Sequence, residues 1–153
     1  MLRDPSLIPL SHQHQHGLAL CVRIERTLRD DQSPERSAEL AHRVADTYDL
    51  ELRNHFDVEE RLLFPALREH LGPLPLVETL QAEHRQLEAL VERVRTADDA
   101  ARPAALSDFS TALAAHIRTE ERELFEDIQK RLSPEVLSAL GQAIDRDLIR
   151  VCL

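Results

Sequence analysis

The chain has 153 residues, 42% of them hydrophobic, which suits one buried core and leaves little material for a second. Only 3 Gly, no Trp and 3% aromatic residues, beside abundant Leu, Ala, Glu and Arg, favour helices over strands, because these residues lose little rotamer freedom in a helix. A formal net charge of -9 and a sequence pI near 5.3 exclude a broad basic face, so cations are expected partners while nucleic acid and anionic membrane are not.

Punctuation by Pro, Ser and Gly divides the chain into five periodic stretches. Ser11 is the expected N-cap of a first helix that runs to about Asp30. Ser33-Pro34-Glu35 then opens a long second helix, with serine as cap, proline in the first turn and an acid at the positive end of the dipole. Its core stripe reads Leu40, Val44, Tyr48, Leu52, His55, Glu59 and Leu62; Pro65 should kink it, and Gly72 with Pro73 and Pro75 ends it. A third helix is expected from about Leu76 to Arg95, and the polar run Thr96 to Arg102 reads as a loop. Pro103 sits early in a fourth helix that continues to about Arg131, and Ser133-Pro134-Glu135 starts a shorter fifth one to about Ile149.

Four long helices with short connections imply an all-α fold, an antiparallel up-down four-helix bundle with an additional short C-terminal helix. The expected organisation is a single domain over 1–153, with the bundle at about 10–131 and the accessory helix at about 134–150. Cys21 and Cys152 match no disulfide framework or thiolate metal motif, which points to a reducing cytoplasm. No run of about eighteen apolar residues suggests a membrane span, and no signal-peptide pattern is evident.

One internal repeat stands out. His55-Phe-Asp-Val-Glu59-Glu60-Arg61-Leu-Leu63-Phe64 recurs 61 positions later as His116-Ile-Arg-Thr-Glu120-Glu121-Arg122-Glu-Leu124-Phe125. Residues four apart on a helix share a face, so each copy offers a His and a Glu as a two-ligand claw on a core stripe. Two ionised carboxylates buried opposite one another need cations between them, because burying such charges unpaired is costly. The third helix adds His84, in a stripe with Leu80, Leu87 and Val91.

The first helix offers three imidazoles: His12, His14 and His16. An offset of 70 pairs His14 with His84 and aligns Leu10 with Leu80, Cys21 with Val91 and Ile24 with Val94. An offset of 72 pairs His12 with His84 nearly as well, whereas the register that uses His16 matches poorly. His14 is preferred because His12 would sit in the first turn beside the cap. Four imidazoles and two carboxylates suit a pair of first-row metals, with Glu59 and Glu120 as bridges and iron as the natural pair; zinc or manganese are possible substitutes.

The motifs LSHQHQHGLAL, HFDVEERLLFP, AEHRQLEAL and HIRTEERELF, in that order, resemble the hemerythrin-like (HHE cation-binding) domain family over about residues 10 to 130. The resemblance implies that His14, His55, Glu59, His84, His116 and Glu120 bind two iron ions in an oxo- or hydroxo-bridged, non-haem centre. Oxygen-carrying members have HxxxH in the third helix and HxxxxD in the fourth; here stand His84-x-x-x-Glu88 and His116-x-x-x-Glu120. That pattern is closer to bacterial members with four His and two Glu, associated with sensing of iron, oxygen or nitric oxide and with repair of damaged iron centres.

The expected protein is therefore a metal-binding protein more than an enzyme, taking metal ions and a small diatomic ligand or oxidant in sensing, storage or stress protection, as a monomer or homodimer. The rivals are a di-iron enzyme that consumes peroxide or repairs iron-sulfur centres, and a metal-free helical interaction module. Helix claws also arise by chance, at about one His-x-x-x-Glu in a chain of this composition, so the repeat and the order of motifs carry the reading. Glu88 reads as a surface or outer acid, Glu60 and Glu121 as partners of arginines in water, His42 and His70 as ordinary surface residues, and Tyr48 and Cys21 as core.

Overall fold

The computed structural model describes residues 1–150; Cys152 lies outside the described residues. Five helical rods are present among the described residues: α1 (Ile8–Asp30), α2 (34–71), α3 (Pro75–Thr96), α4 (102–131) and α5 (Pro134–Asp147). No strand occurs among the described residues, and no helix among them is long and apolar enough to cross a membrane.

Capping chemistry accounts for three of the boundaries. Ser33 and Ser133 each accept a hydrogen bond from the backbone N–H three residues on, with proline in the first turn behind them. Gly72 ends α2 at φ 77, a backbone conformation that other residues rarely adopt, and Pro73 follows. The first helix departs from expectation. It starts at Ile8 with Leu7 as its cap residue, because Pro9 in the first turn already supports the helix, and the Ser11 hydroxyl instead donates to Glu121 Oε1 at 2.6 Å.

Two of the rods widen into π-helical turns: α2 at Tyr48–Leu52 and at Glu59–Leu63, and α4 at Glu120–Leu124. The turns at Glu59 and Glu120 occupy the same register of the internal repeat, so ten similar residues have been folded twice into the same local distortion. Each turn inserts an extra residue just past the claw and shifts the buried stripe by one. Leu63 is consequently the core residue and Leu62, expected there from an α-helical period, is only partly buried. Pro65 falls in the first turn of the α segment after the π turn, where its missing N–H is least disruptive.

Two apolar clusters divide the bundle lengthwise. One contains Leu20, Ile24, Val44, Phe56, Leu87, Val91, Phe109 and Leu113; the other contains Leu10, Leu63, Phe64, Leu80, Phe125 and Ile128 together with Leu137, Leu140 and Ile144 of α5. Along the chain α1 passes from the second cluster to the first, α2 returns, α3 repeats the course of α1 and α4 that of α2. The four rods therefore alternate in direction, with α1 and α3 each packed against α2 and α4. α5 closes the end occupied by the second cluster, packing on the π turn that follows Glu59.

Close backbone approach at two glycines gives contrasting expectations. A Cβ at Gly141 would lie 2.7 Å from the Ser6 Cα, a backbone atom that cannot yield, so Gly141→Ala should destabilise by about 1–3 kcal/mol despite the better helix propensity of alanine. A Cβ at Gly17 would meet only the tip of Ile117 at 2.9 Å, so Gly17→Ala should be close to neutral. Urea denaturation of the two variants checks the contrast.

Candidate metal centre

Between the two apolar clusters lies a polar layer one side chain thick. α1 contributes His14, α2 His55 and Glu59, α3 His84, and α4 His116 and Glu120, all buried; both carboxylates and His84 have no solvent exposure at all. The repeat places the claws of α2 and α4 on facing rods. Within them His55 Nε2 lies 2.9 Å from Glu59 Oε1, and His116 Nε2 lies 3.7 Å from Glu120 Oε2.

The contacts between rods are equally short. His14 Nε2 is 3.0 Å from His55 Nε2 and 3.3 Å from Glu120 Oε2, while His84 Nε2 is 3.0 Å from Glu59 Oε2. Two groups result whose donor atoms lie within 4.8 Å of one another: His14, His55, Glu59 and Glu120 in the first, and Glu59, His84 and His116 in the second. Glu59 belongs to both. Its Oε1 faces His55 and His14, and its Oε2 faces His84. Among the candidates from α1, only His14 enters the layer. His12 is exposed, and His16 turns outward to pair with Glu51 at 3.1 Å.

The donor set suits a cation. Both oxygens of Glu59 and of Glu120, both nitrogens of His84 and Nε2 of His116 are buried without a hydrogen bond among the described residues, although they crowd together at ion-pair distances. Buried polar atoms left in this way carry a desolvation penalty of about 1–3 kcal/mol each, more when charged, and a positive ion among them removes it. Borderline imidazole nitrogens with hard carboxylate oxygens are a donor set for first-row divalent metals.

Without a metal, protons carry the compensating charge. Burial opposes charge on His14, but the adjacent carboxylates of Glu120 and Glu121 and the field of Glu59 raise its pKa to about 10. Burial would also push Glu59 up, yet His55 and His84 hold it well below the usual carboxylate range. Glu120 moves the other way, raised first by burial and then by the negative charge of Glu59. The divergence of the two acids expresses a single fact, that neighbouring buried carboxylates resist being ionised together.

Three of the four imidazoles are hydrogen-bonded at their outward nitrogens too, and the fourth has a carboxylate at ion-pair distance. Nδ1 of His14 donates to Glu121 Oε1 at 2.6 Å, Nδ1 of His116 to Glu83 Oε2 at 2.6 Å, and Nδ1 of His55 to Gln13 Oε1 at 2.8 Å; Nδ1 of His84 lies 3.7 Å from Glu60 Oε2. Sequence reasoning missed Gln13 and Glu83, which have no motif of their own beyond standing next to a histidine. It assigned Glu121 and Glu60 to arginines, and they do pair with Arg3 at 2.7 Å and Arg85 at 2.6 Å, but each also turns its carboxylate to an imidazole. Burial raises the Glu121 carboxyl, while His14, Ser11 and Arg3 outweigh it and bring the pKa to about 2.

The acid at the third-helix claw position stays out of the layer: Glu88 is partly exposed and pairs with Arg85 at 3.1 Å. Tyr48 and Cys21 belong to the apolar cluster, and burial lifts the Cys21 thiol to about 11. The family model described as Hemerythrin HHE cation binding domain matches residues 9–128. No curated protein and no solved structure matches the chain.

Proposed function

This chain belongs to the hemerythrin HHE cation-binding domain family, and on that premise we propose that it is a non-haem di-iron protein that binds a small diatomic ligand or oxidant. One observation supports the step from a cation site to a two-metal site: the two oxygens of a single buried carboxylate, Glu59, face different imidazoles, Oε1 those of His55 and His14 and Oε2 that of His84. In this reading His14 and His55 would hold one ion and His84 and His116 the other, with Glu59 and Glu120 serving both. Four imidazoles and two carboxylates are fewer donors than two six-coordinate ions take, so positions would remain for a small ligand.

Iron bound there would supply redox-active metal with open positions for oxygen, nitric oxide or peroxide. The protein's own part is to present the six donors from four rods and to wall the layer above and below with Phe56, Phe64 and Phe125, whose rings lie against His84 and His14 at 4.1, 5.8 and 5.5 Å. Such walls keep bulk water from the layer. The role that fits is sensing, storage or stress protection in the cytoplasm, where a buried thiol such as Cys21 persists reduced.

Anaerobic titration with ferrous iron tests the proposal. Two irons per chain are expected, with near-ultraviolet absorption appearing on oxidation. A single zinc, or no bound metal after reconstitution, rejects it. With peroxide, stoichiometric reaction is the expected result, and sustained turnover would favour the enzymatic rival.

A further inference from the structure

We propose that Gln13, Glu60, Glu83 and Glu121 form a closed ring of positioning residues that holds the four imidazoles of the layer in place. The proposal rests on the metal reading above. Each of the four is the chain neighbour of a ligand position on its own rod: Gln13 of His14, Glu60 of Glu59, Glu83 of His84 and Glu121 of Glu120. Each turns to the imidazole of the next rod in order: Gln13 of α1 to His55 of α2, Glu60 of α2 to His84 of α3, Glu83 of α3 to His116 of α4, and Glu121 of α4 back to His14 of α1. The circuit closes around the bundle axis, so every rod both supplies an imidazole and steadies another.

The chemistry follows from which nitrogen is engaged. At His14, His55 and His116 an acceptor outside the layer keeps the hydrogen on Nδ1 and leaves the Nε2 lone pair directed inward, where a metal needs it; at His84 the Glu60 carboxylate, 3.7 Å from Nδ1, acts through its charge and not through a hydrogen bond. Three of the ring members are themselves braced. Gln13 donates through Nε2 to the Ile149 carbonyl at 2.8 Å, which fixes the amide with its oxygen toward His55. Ser11 and Arg3 hold Glu121 at 2.6 and 2.7 Å, and Arg85 holds Glu60 at 2.6 Å.

Acceptor strength is distributed evenly. In each of the two donor groups one imidazole has a carboxylate behind it at 2.6 Å, His14 in the first and His116 in the second. The other has a weaker support, the neutral amide behind His55 or the more distant Glu60 behind His84. Both metal positions are thereby given one strongly and one weakly polarised imidazole, an equivalence the six ligands alone do not provide.

The test uses the full chain with cobalt(II) or ferrous iron alone, under anaerobic conditions, reading affinity by chelator competition and the cobalt visible bands. Glu83→Ala and Glu121→Ala are expected to weaken binding by about 10- to 100-fold and to alter the cobalt bands. Glu83→Gln and Glu121→Gln keep the acceptor without the charge and should lose about 3- to 10-fold, since charge-assisted hydrogen bonds are roughly twice as strong as neutral ones. Glu60→Ala, at the longest contact, should change affinity less than either Ala variant.

Folded Ala variants with the affinity and bands of the parent would overturn the ring. Should the Ala variants not fold, the volume-conserving Gln variants decide, and affinity unchanged in both overturns it as well. Glu59→Gln separates the two levels of the claim. If it loses cobalt while the ring variants bind normally, the ring is wrong and the metal reading stands; if it binds like the parent, both fall.

Discussion

Glu59→Gln is expected to remove the thermal stabilisation that metal gives this protein while leaving the metal-free fold intact. The side chain has no solvent exposure, and both its oxygens lack hydrogen bonds. Glutamine keeps the volume, so no cavity opens, but it offers one neutral oxygen where the layer has two carboxylate oxygens facing different imidazoles. Metal present at about a thousand times its dissociation constant stabilises a fold by about 4 kcal/mol, which for a chain of this size raises Tm by about 8–16 °C. The parent should show that rise on adding ferrous iron and Glu59→Gln should show almost none. Differential scanning calorimetry of both proteins, with and without iron, measures it. An equal rise in the two would refute the shared role of Glu59, whatever the metal bound.

On the proposed ligand set, the second large effect expected is a competition between protons and metal at His14. Its folded pKa of about 10 lies above the ordinary imidazole value of 6.5, so protonated His14 contributes stability that is fully present below pH 6.5 and is lost as pH rises toward 10. The metal-free chain should therefore melt at progressively lower temperature across that window. Metal must displace the same proton, so its apparent affinity should rise with pH by up to about tenfold per unit for each proton released.

Saturating metal should flatten the fall in Tm, because the imidazole is then neutral in the folded state as well. Cys21 does not confuse the lower part of the window: its thiol ordinarily titrates near 9.0 and is pushed to about 11. Calorimetry at pH 6.5 and 9, with and without metal, gives the comparison. A metal-free Tm that is level or climbing over this range would contradict the proposed charge balance. On the acid side, Glu121 works with the opposite sign: its stabilising contribution is present above pH 4.5 and is lost as pH falls toward 2.

Much of this molecule is legible along the chain. The Ser-Pro-Glu starts at Ser33 and Ser133 and the Gly72 stop declare their boundaries through local backbone chemistry, which acts within a few residues. The histidines and acids of the layer announce themselves by recurring at helical spacing on apolar stripes, and the copied decapeptide shows that two rods present the same face. Ser11 resembles a cap, yet α1 starts at Ile8 and the Ser11 hydroxyl is taken by Glu121, which is 110 residues away.

Local propensity and periodicity thus determined the number of rods, their approximate ends and the stripe on which each candidate donor stands. The three-dimensional fold alone decided which histidine of α1 turns inward, that the rods carrying Glu59 and Glu120 widen beside the layer, and that Gln13 and Glu83 face neighbouring imidazoles. The reason is physical. A helical period reports a direction around one rod, whereas the rotation of one rod against another, and hence which side chains meet, is settled by how all the rods fill the same volume at close-packed density.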